Sequence, residues 1–289
     1  MTGIVLLTGA TGFVGRQVLR QLCDAGRRVR VVVRDARQGE FVARGDIESV
    51  VPTPDLFAES ADWWANVCSG IDTVIHVAWY TEPGKYLQSA RNLDCLSGTL
   101  LMAKGAKTAG VRRVVAVGTC FEYDLAGGLL SESTPLRPLT PYAGAKAAVF
   151  MALSQWLPSQ GVEFVWCRLF YLFGEGEDPR RLVAYLRGRL AAGEPAELNS
   201  GEPIRDFLDV RVAGAMIATT ALGDAQGAVN ICSGVAMTVR QLAERIADEY
   251  GRRDLLKFGA RADIAFDPPC VVGIKGPQPW QAISPFSGY

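Results

Sequence analysis

Thr8-Gly9-Ala10-Thr11-Gly12-Phe13-Val14-Gly15 stands between an apolar run, Ile4 to Leu7, and a segment of helical period, Arg16 to Leu22. The apolar run predicts a strand buried on both faces. Glycine at a strand-to-helix turn lets the backbone approach a pyrophosphate. The helix that follows offers free N–H groups and the positive end of its dipole. A tight turn needing positive φ would use the same residues. Placement between strand and helix at the start of the chain favours the dinucleotide reading.

Outward from that turn, a second apolar run, Val29 to Val33, ends in Arg34-Asp35-Ala36-Arg37. In dinucleotide folds a carboxylate after this strand bonds the ribose 2′-OH of NAD, and an arginine accommodates the 2′-phosphate of NADP. Arg34 comes first and Arg37 is near, so NADP is expected, with NAD as the alternative that Asp35 keeps open. A solvated loop would carry the same charges. Further strands are expected at Ser49 to Val51, Ile71 to Ala78, Val111 to Val117 and Phe164 to Leu169, with a long helix over Leu87 to Ala109. Alternating strands and helices imply an α/β, doubly wound parallel sheet of Rossmann type. Ligands of such sheets bind at the carboxyl ends of the strands, where Gly9, Ala78, Thr119 and the Tyr142 loop would converge.

Tyr142 and Lys146 are four apart in Thr140-Pro141-Tyr142-Ala143-Gly144-Ala145-Lys146. On a helix that spacing puts phenol and ammonium on one face. A cation beside a phenol favours phenolate, and lowering a pKa near 10 to about 7 takes about 4 kcal/mol of differential stabilisation. A lysine together with a cationic cofactor ring can supply that, and a lysine on a wet surface cannot. The bland alternative is an exposed helix with an incidental Tyr and Lys. His76 reads as an oriented structural residue rather than an acid or base.

Beyond Leu169 the fragments shorten: helices near Arg180 to Ala192, Val212 to Leu222 and Val239 to Tyr250, a short strand near Val229 to Cys232, and Arg205-Asp206-Phe207-Leu208-Asp209-Val210 between them. They read as a small lobe closing over the sheet. The division expected is residues 1–170 for the dinucleotide-binding part, with return segments near 205–232, and 171–289 mainly for a substrate-binding lobe. The stretch from Phe266 to Tyr289, rich in Pro and Gly, carries no assignment.

With 289 residues, 49% of them hydrophobic, and a net charge of zero, the chain can bury a sizeable core and carries no mark of a nucleic-acid partner. No apolar run approaches the ~20 residues of a membrane helix. The N-terminus reads as a strand, not a signal peptide. Seven cysteines without CxxC spacing disfavour a disulfide framework or zinc site, and one histidine disfavours a histidine metal site or a Ser-His-Asp triad. A cytoplasmic protein is expected, and a homodimer, since exposed helices of such sheets often pair.

Thr8 to Gly15, Thr119, Tyr142 and Lys146 together resemble the extended short-chain dehydrogenase/reductase family, in its nucleotide-sugar epimerase, dehydratase and reductase branch. The resemblance covers roughly residues 3–250. It includes Asp55-Leu56, His76-Val77-Ala78, Gly98-Thr99, Gly174, Arg205-Asp206-Phe207, and Asn230 with Gly234. It implies a Rossmann lobe and a smaller substrate lobe. Tyr142 would be proton donor and acceptor at a carbinol or carbonyl oxygen. Lys146 would lower the tyrosine pKa and hold the nicotinamide ribose, and Thr119 would take the place of the usual serine. Gly9, Thr11, Gly12, Phe13, Val14 and Gly15 would seat the diphosphate, Arg34 the adenosine ribose, Asp55 and Leu56 the adenine, and Val77, Ala78 and Trp79 the rest of the cofactor. Cys120, Tyr171 and Arg205 would face the substrate, a nucleotide sugar.

Departures narrow the chemistry. Dehydratases resembling this chain carry an Asp-Glu pair directly after the threonine, where Cys120 and Phe121 stand here, so water loss is disfavoured. Cys95 replaces an asparagine before Gly98-Thr99, and Tyr171 an asparagine that usually contacts the nucleotide. The leading expectation is NAD(P)H-dependent reduction of a nucleotide-linked 4-keto-6-deoxy sugar. The alternatives are a 4-epimerase with tightly retained NAD, which needs no further residue, and a cofactor-bound regulatory protein with a silent site, against which the presence of both Tyr142 and Lys146 counts.

Overall fold

The computed structural model describes residues 3–35, 47–263 and 267–276; Arg37, and most of the stretch from Phe266 onward, lie outside them. In chain order the elements are β1 (Ile4–Thr8), α1 (Gly15–Asp24), β2 (Val29–Val33), β3 (Ile47–Pro52), α2 (Ala61–Val67), β4 (Ile71–His76), α3 (Arg91–Thr108), β5 (Arg113–Thr119), β6 (Leu129–Leu130), α4 (Pro141–Ser159), β7 (Glu163–Leu169) and β8 (Tyr171–Phe173). There follow α5 (Leu182–Ala191), β9 (Ala196–Glu197), β10 (Ile204–Asp209), α6 (Val210–Leu222), β11 (Gly227–Ile231), β12 (Ala236–Thr238), α7 (Val239–Glu249), β13 (Leu256–Lys257) and β14 (Cys270–Gly273).

Seven strands form one sheet in the order β11-β7-β5-β4-β1-β2-β3, every pairing parallel. The inner strands are short, β-branched and buried on both sides, as crossover helices require, whereas β3 at the edge is partly exposed. One face packs α1 and α6 through Val18, Leu22, Ile217 and Ala221; the other packs α2, α3 and α4 through Trp64, Met102, Val149 and Leu153. The order reverses between β1 and β4, which opens a crevice at their carboxyl ends. This is the Rossmann-like α/β fold.

Part of the later chain returns to the large sheet: β11 pairs with β7, and α6 packs on α1. The remainder builds a smaller sheet, β12-β10-β14-β6 with β8 beside β10, over a separate core of Phe173, Leu186, Phe207 and Leu242. β14 falls in the stretch that carried no assignment; it pairs with β10 on one side and β6 on the other.

Two expectations about elements need correction, and one element had no expectation. The helix expected over Leu87 to Ala109 starts only at Arg91; Tyr86–Gln88 is a separate turn of 3-10 helix, and extended Ser89 follows it. The strand expected at Val111 to Val117 runs Arg113–Thr119, which carries Thr119 to the strand's end. The short helix α2 was not expected. Ser60 caps it by accepting the Trp63 N–H at 3.1 Å, and paired tryptophans gave no clear helical stripe.

Candidate active site

At the carboxyl end of β1 the chain turns through Gly9 at φ +73°, where the Gly12 N–H donates to the Gly9 carbonyl at 2.9 Å. A Cβ on Gly9 would stand 2.8 Å from the Ala78 nitrogen, and one on Gly15 would collide with the Gly9 carbonyl. The turn is therefore a cradle that side chains would fill. α1 starts without a side-chain cap and without an acidic residue in its first turn, which leaves its positive end available to an anion. Both observations fit a dinucleotide diphosphate. Val77 and Ala78 lie directly behind the cradle, and Arg34 stands exposed at the end of β2. Leu56 is buried in the core; Asp55 accepts the Phe57 N–H at 3.0 Å and pairs with Arg91 at 2.9 Å.

His76 is oriented by two threonine hydroxyls, one on each ring nitrogen. Thr99 donates to the Cys95 carbonyl at 2.7 Å, so its oxygen must accept from His76 Nε2–H at 3.1 Å. The unprotonated Nδ1 then accepts from Thr8 at 2.9 Å, and Thr8 accepts the Ala78 N–H at 3.3 Å. Burial, with the Lys146 charge adding, pulls His76 down to about 3. It is a neutral strut between β1, β4 and α3, as expected.

Thr140 caps α4 by accepting the Ala143 N–H at 3.2 Å, with Pro141 in the first turn. Tyr142 and Lys146 then fall on its inner face, 8% and 3% exposed. The ammonium donates to the Val117 carbonyl at 2.6 Å and lies 3.8 Å from the Trp79 ring centre. The Tyr142 ring meets Tyr86 edge-on at 4.8 Å and Trp79 at 6.4 Å.

The acidified phenol expected from the sequence is not what this packing produces. Burial pushes Tyr142 above the usual tyrosine range, Tyr86 adds to the rise, and a hydrogen bond from Thr119 opposes it. Burial likewise pulls Lys146 down to about 7, against Glu122 and Cys95, which favour its charged form. The i, i+4 spacing placed the pair correctly but could not report how dry its surroundings are.

Thr119 ends β5. Its N–H donates to Glu122 Oε1 at 2.8 Å, and its hydroxyl accepts the Phe121 N–H at 3.3 Å. Cys120 is buried and its thiol is pushed well up by burial, which makes it an inert group. Phe121 packs edge-on against Tyr171 at 6.0 Å, and Tyr171 against Phe207 at 6.1 Å. From Tyr171 a cleft of about 440 Å³ runs into the smaller lobe, past Arg205, Tyr185, Asn199 and Arg261. Arg205 pairs with Asp267 at 2.6 Å and lies 5.3 Å from the Tyr171 ring centre.

Two participants escaped the sequence reading. Tyr86 opens a single turn of 3-10 helix, too short to show a period, and nothing local marks it. Glu122 had a signal: Thr119-x-x-Glu122 is a capping box, with each side chain bonding the other's backbone.

A family model described as the NAD dependent epimerase/dehydratase family matches residues 5–232. Among curated relatives, a dTDP-6-deoxy-L-talose 4-dehydrogenase (NAD(+)) of Aggregatibacter actinomycetemcomitans is 23% identical over 94% of this chain and 99% of its own. A dTDP-6-deoxy-L-talose 4-dehydrogenase (NAD(P)(+)) of Kitasatospora kifunensis is 29% identical over 86% of this chain and 79% of its own. Among solved structures, a UDP-N-acetylglucosamine 4-epimerase from Methanobrevibacter ruminantium M1, in complex with UDP-N-acetylmuramic acid, superposes with a TM-score of 0.83 at 22% identity, covering 95% of this chain and 90% of that one.

Proposed function

The chain belongs to the NAD-dependent epimerase/dehydratase family, and from that footing we propose that it reduces a nucleotide-linked 4-keto-6-deoxy sugar with NAD(P)H. The observation that carries the reading is the neighbourhood of the Thr119 and Tyr142 hydroxyls. They meet at the carboxyl end of the sheet, and Cys120 and Phe121 occupy the positions where an elimination would need an acid and a base. What surrounds the pair is aromatic: Tyr86, Trp79, Phe121 and Tyr171. Such walls suit a deoxygenated, methyl-bearing C6 better than a hydroxymethyl or carboxylate, whose polar atoms would lose their hydrogen bonds there. The cleft beyond Tyr171, with Arg205 and Arg261, supports a nucleotide diphosphate as the handle. Two curated relatives named as 6-deoxysugar nucleotide 4-dehydrogenases point the same way.

When bound, the cofactor supplies the hydride that adds to the carbonyl carbon. Thr119 holds the carbonyl oxygen, and Tyr142 gives its proton to that oxygen as charge develops there. Lys146, in its ammonium form, stabilises the phenolate left behind. Gly9, Thr11, Gly12, Phe13, Val14 and Gly15 would seat the diphosphate, Asp55 and Leu56 the adenine, and Val77, Ala78 and Trp79 the nicotinamide half. Arg34 supports NADP over NAD. Exposed Leu93 on α3 and Met151 on α4 support a homodimer through these neighbouring helices, which light scattering would test.

One observation favours the alternative, a 4-epimerase that keeps its NAD. The glycine turn is clasped from outside: Arg16 donates to the Thr11 and Gly12 carbonyls, Arg181 covers the Phe13 ring at 5.4 Å, and Arg20 pairs with Glu175 at 3.2 Å. The test is cofactor consumption. A reductase oxidises added NADPH stoichiometrically with a 4-keto-6-deoxy nucleotide sugar, and Tyr142→Phe lowers turnover by about 10²–10⁴-fold. NAD retained through purification with no net consumption would select the epimerase, and an unchanged Tyr142→Phe would remove the mechanism.

A further inference from the structure

Lys146 is a buried ammonium with three N–H donors and one oxygen acceptor, the Val117 carbonyl, recorded among the described residues. The other contact is the face of Trp79, 3.8 Å from ring centre to Nζ, with Trp166 further off at 5.8 Å. The Trp79 plane is held from several sides. Its Nε1–H donates to Asn92 Oδ1 at 2.9 Å, and the Asn92 amide nitrogen in turn donates to the Tyr86 carbonyl at 2.6 Å and the Ser89 carbonyl at 2.9 Å. Phe57 and Tyr142 abut it edge-on at 6.2 and 6.4 Å. Rotating the indole would break the part-buried bond from its N–H to Asn92, so one face stays against the ammonium.

We propose that Trp79, fixed by Asn92, is a positioning residue that keeps Lys146 in its ammonium form and holds it on the Val117 carbonyl. The inference rests on the reading of Lys146 as the charged partner of Tyr142. A desolvated ammonium is attracted to the negative face of an indole, while its neutral amine is not. The other groups bearing on Lys146 come from several sides of the site: Glu122 from the turn after β5, Cys95 from α3 and His76 from β4. Glu122 and Cys95 favour the charged form. Glu122 is shared with Arg168 and Trp166, which leaves Trp79 as the side chain in direct contact with the ammonium.

The test is NMR titration of the full chain with isotope-labelled lysine side chains, followed at the Lys146 Cε, whose signal is identified by its absence in Lys146→Met. Trp79→Leu keeps apolar bulk and removes the π face; its midpoint should fall by about one pH unit, and that of Trp79→Phe by less. Asn92→Leu, which leaves the indole in place but unpins it, should also lower the midpoint, and it serves if Trp79→Leu does not fold. The alkaline limb of the pH–rate profile should move by the same amount. A midpoint unchanged or raised in both Trp79→Leu and Asn92→Leu overturns the proposal, because the indole would then act only as a wall against water. The titration uses no substrate, so a failure of the reductase reading, seen as no turnover with 4-keto-6-deoxy nucleotide sugars, is separable from a failure here.

Discussion

Arg168 Nε donates to Glu122 Oε2 at 2.8 Å, with the two side chains 1% and 0% exposed. Burial pushes the Glu122 carboxyl up while Arg168 draws it back. Every neighbour that bonds it is a donor, Thr119 N–H and Trp166 Nε1–H included, so the pocket is built for the carboxylate. The guanidinium is sandwiched by Phe150 and Tyr123 at 4.4 and 4.5 Å and donates to the Tyr123 hydroxyl, which donates to Asn230. The pair thus ties the Thr119 turn to β7 and β11. Removing one partner strands a buried charge, so Arg168→Met should lose about 3–5 kcal/mol of stability. Urea unfolding of Arg168→Met, Glu122→Gln and the double variant checks this; the double variant should be less destabilised than the sum of the two.

Among the described residues Lys146 is the only buried lysine, and its value of about 7 lies below its unfolded value near 10.5. Between those values the unfolded chain binds more protons, so stability rises with pH through that window and the handicap is fullest below pH ~7. Lys146→Met should therefore raise the melting temperature at pH ~6.5 and abolish turnover. The gap to the native protein should shrink toward pH ~10, which melting curves at several pH values would show. A variant equally or less stable at every pH would contradict the burial argument.

His76 is the chain's single histidine, which makes its ring directly observable. Its bonding fixes the Nε2–H tautomer, and it should stay neutral down to about pH 3. Its folded value lies below the unfolded one near 6.5, so its share of stability is complete above pH ~6.5 and lost as pH falls toward 3. Nitrogen-15 NMR of the ring checks the tautomer, and a His76→Gln variant should flatten that part of the acid-unfolding curve.

Two glycine-to-alanine changes should act in opposite directions. At Gly9 the new Cβ would meet the Ala78 backbone at 2.8 Å with φ at +73°, so about 1–3 kcal/mol of strain and loss of the thermal shift on NAD(P) addition are expected. At Gly144, inside α4 with open space around it, alanine should stabilise by about 0.5–1 kcal/mol. Thermal melts with and without cofactor separate the two.

The doubly wound sheet was readable from local pattern, since short β-branched runs alternating with helical segments have few other ways to bury themselves. The glycine turn, the α4 pair and Thr119 were placed correctly for the same reason: each depends on spacing within one element or at its end. Other features depended on residues distant in the chain meeting in space. The dryness around Tyr142 and Lys146 arises from Tyr86, Trp79 and Trp166, contributed by a 3-10 turn, the segment after β4 and β7. The Glu122–Arg168 link spans 46 positions, and Arg205 met its partner Asp267 across the smaller lobe. Periodicity reports which way a side chain points; protonation depends on what packs against it, and that is set only when the chain closes on itself.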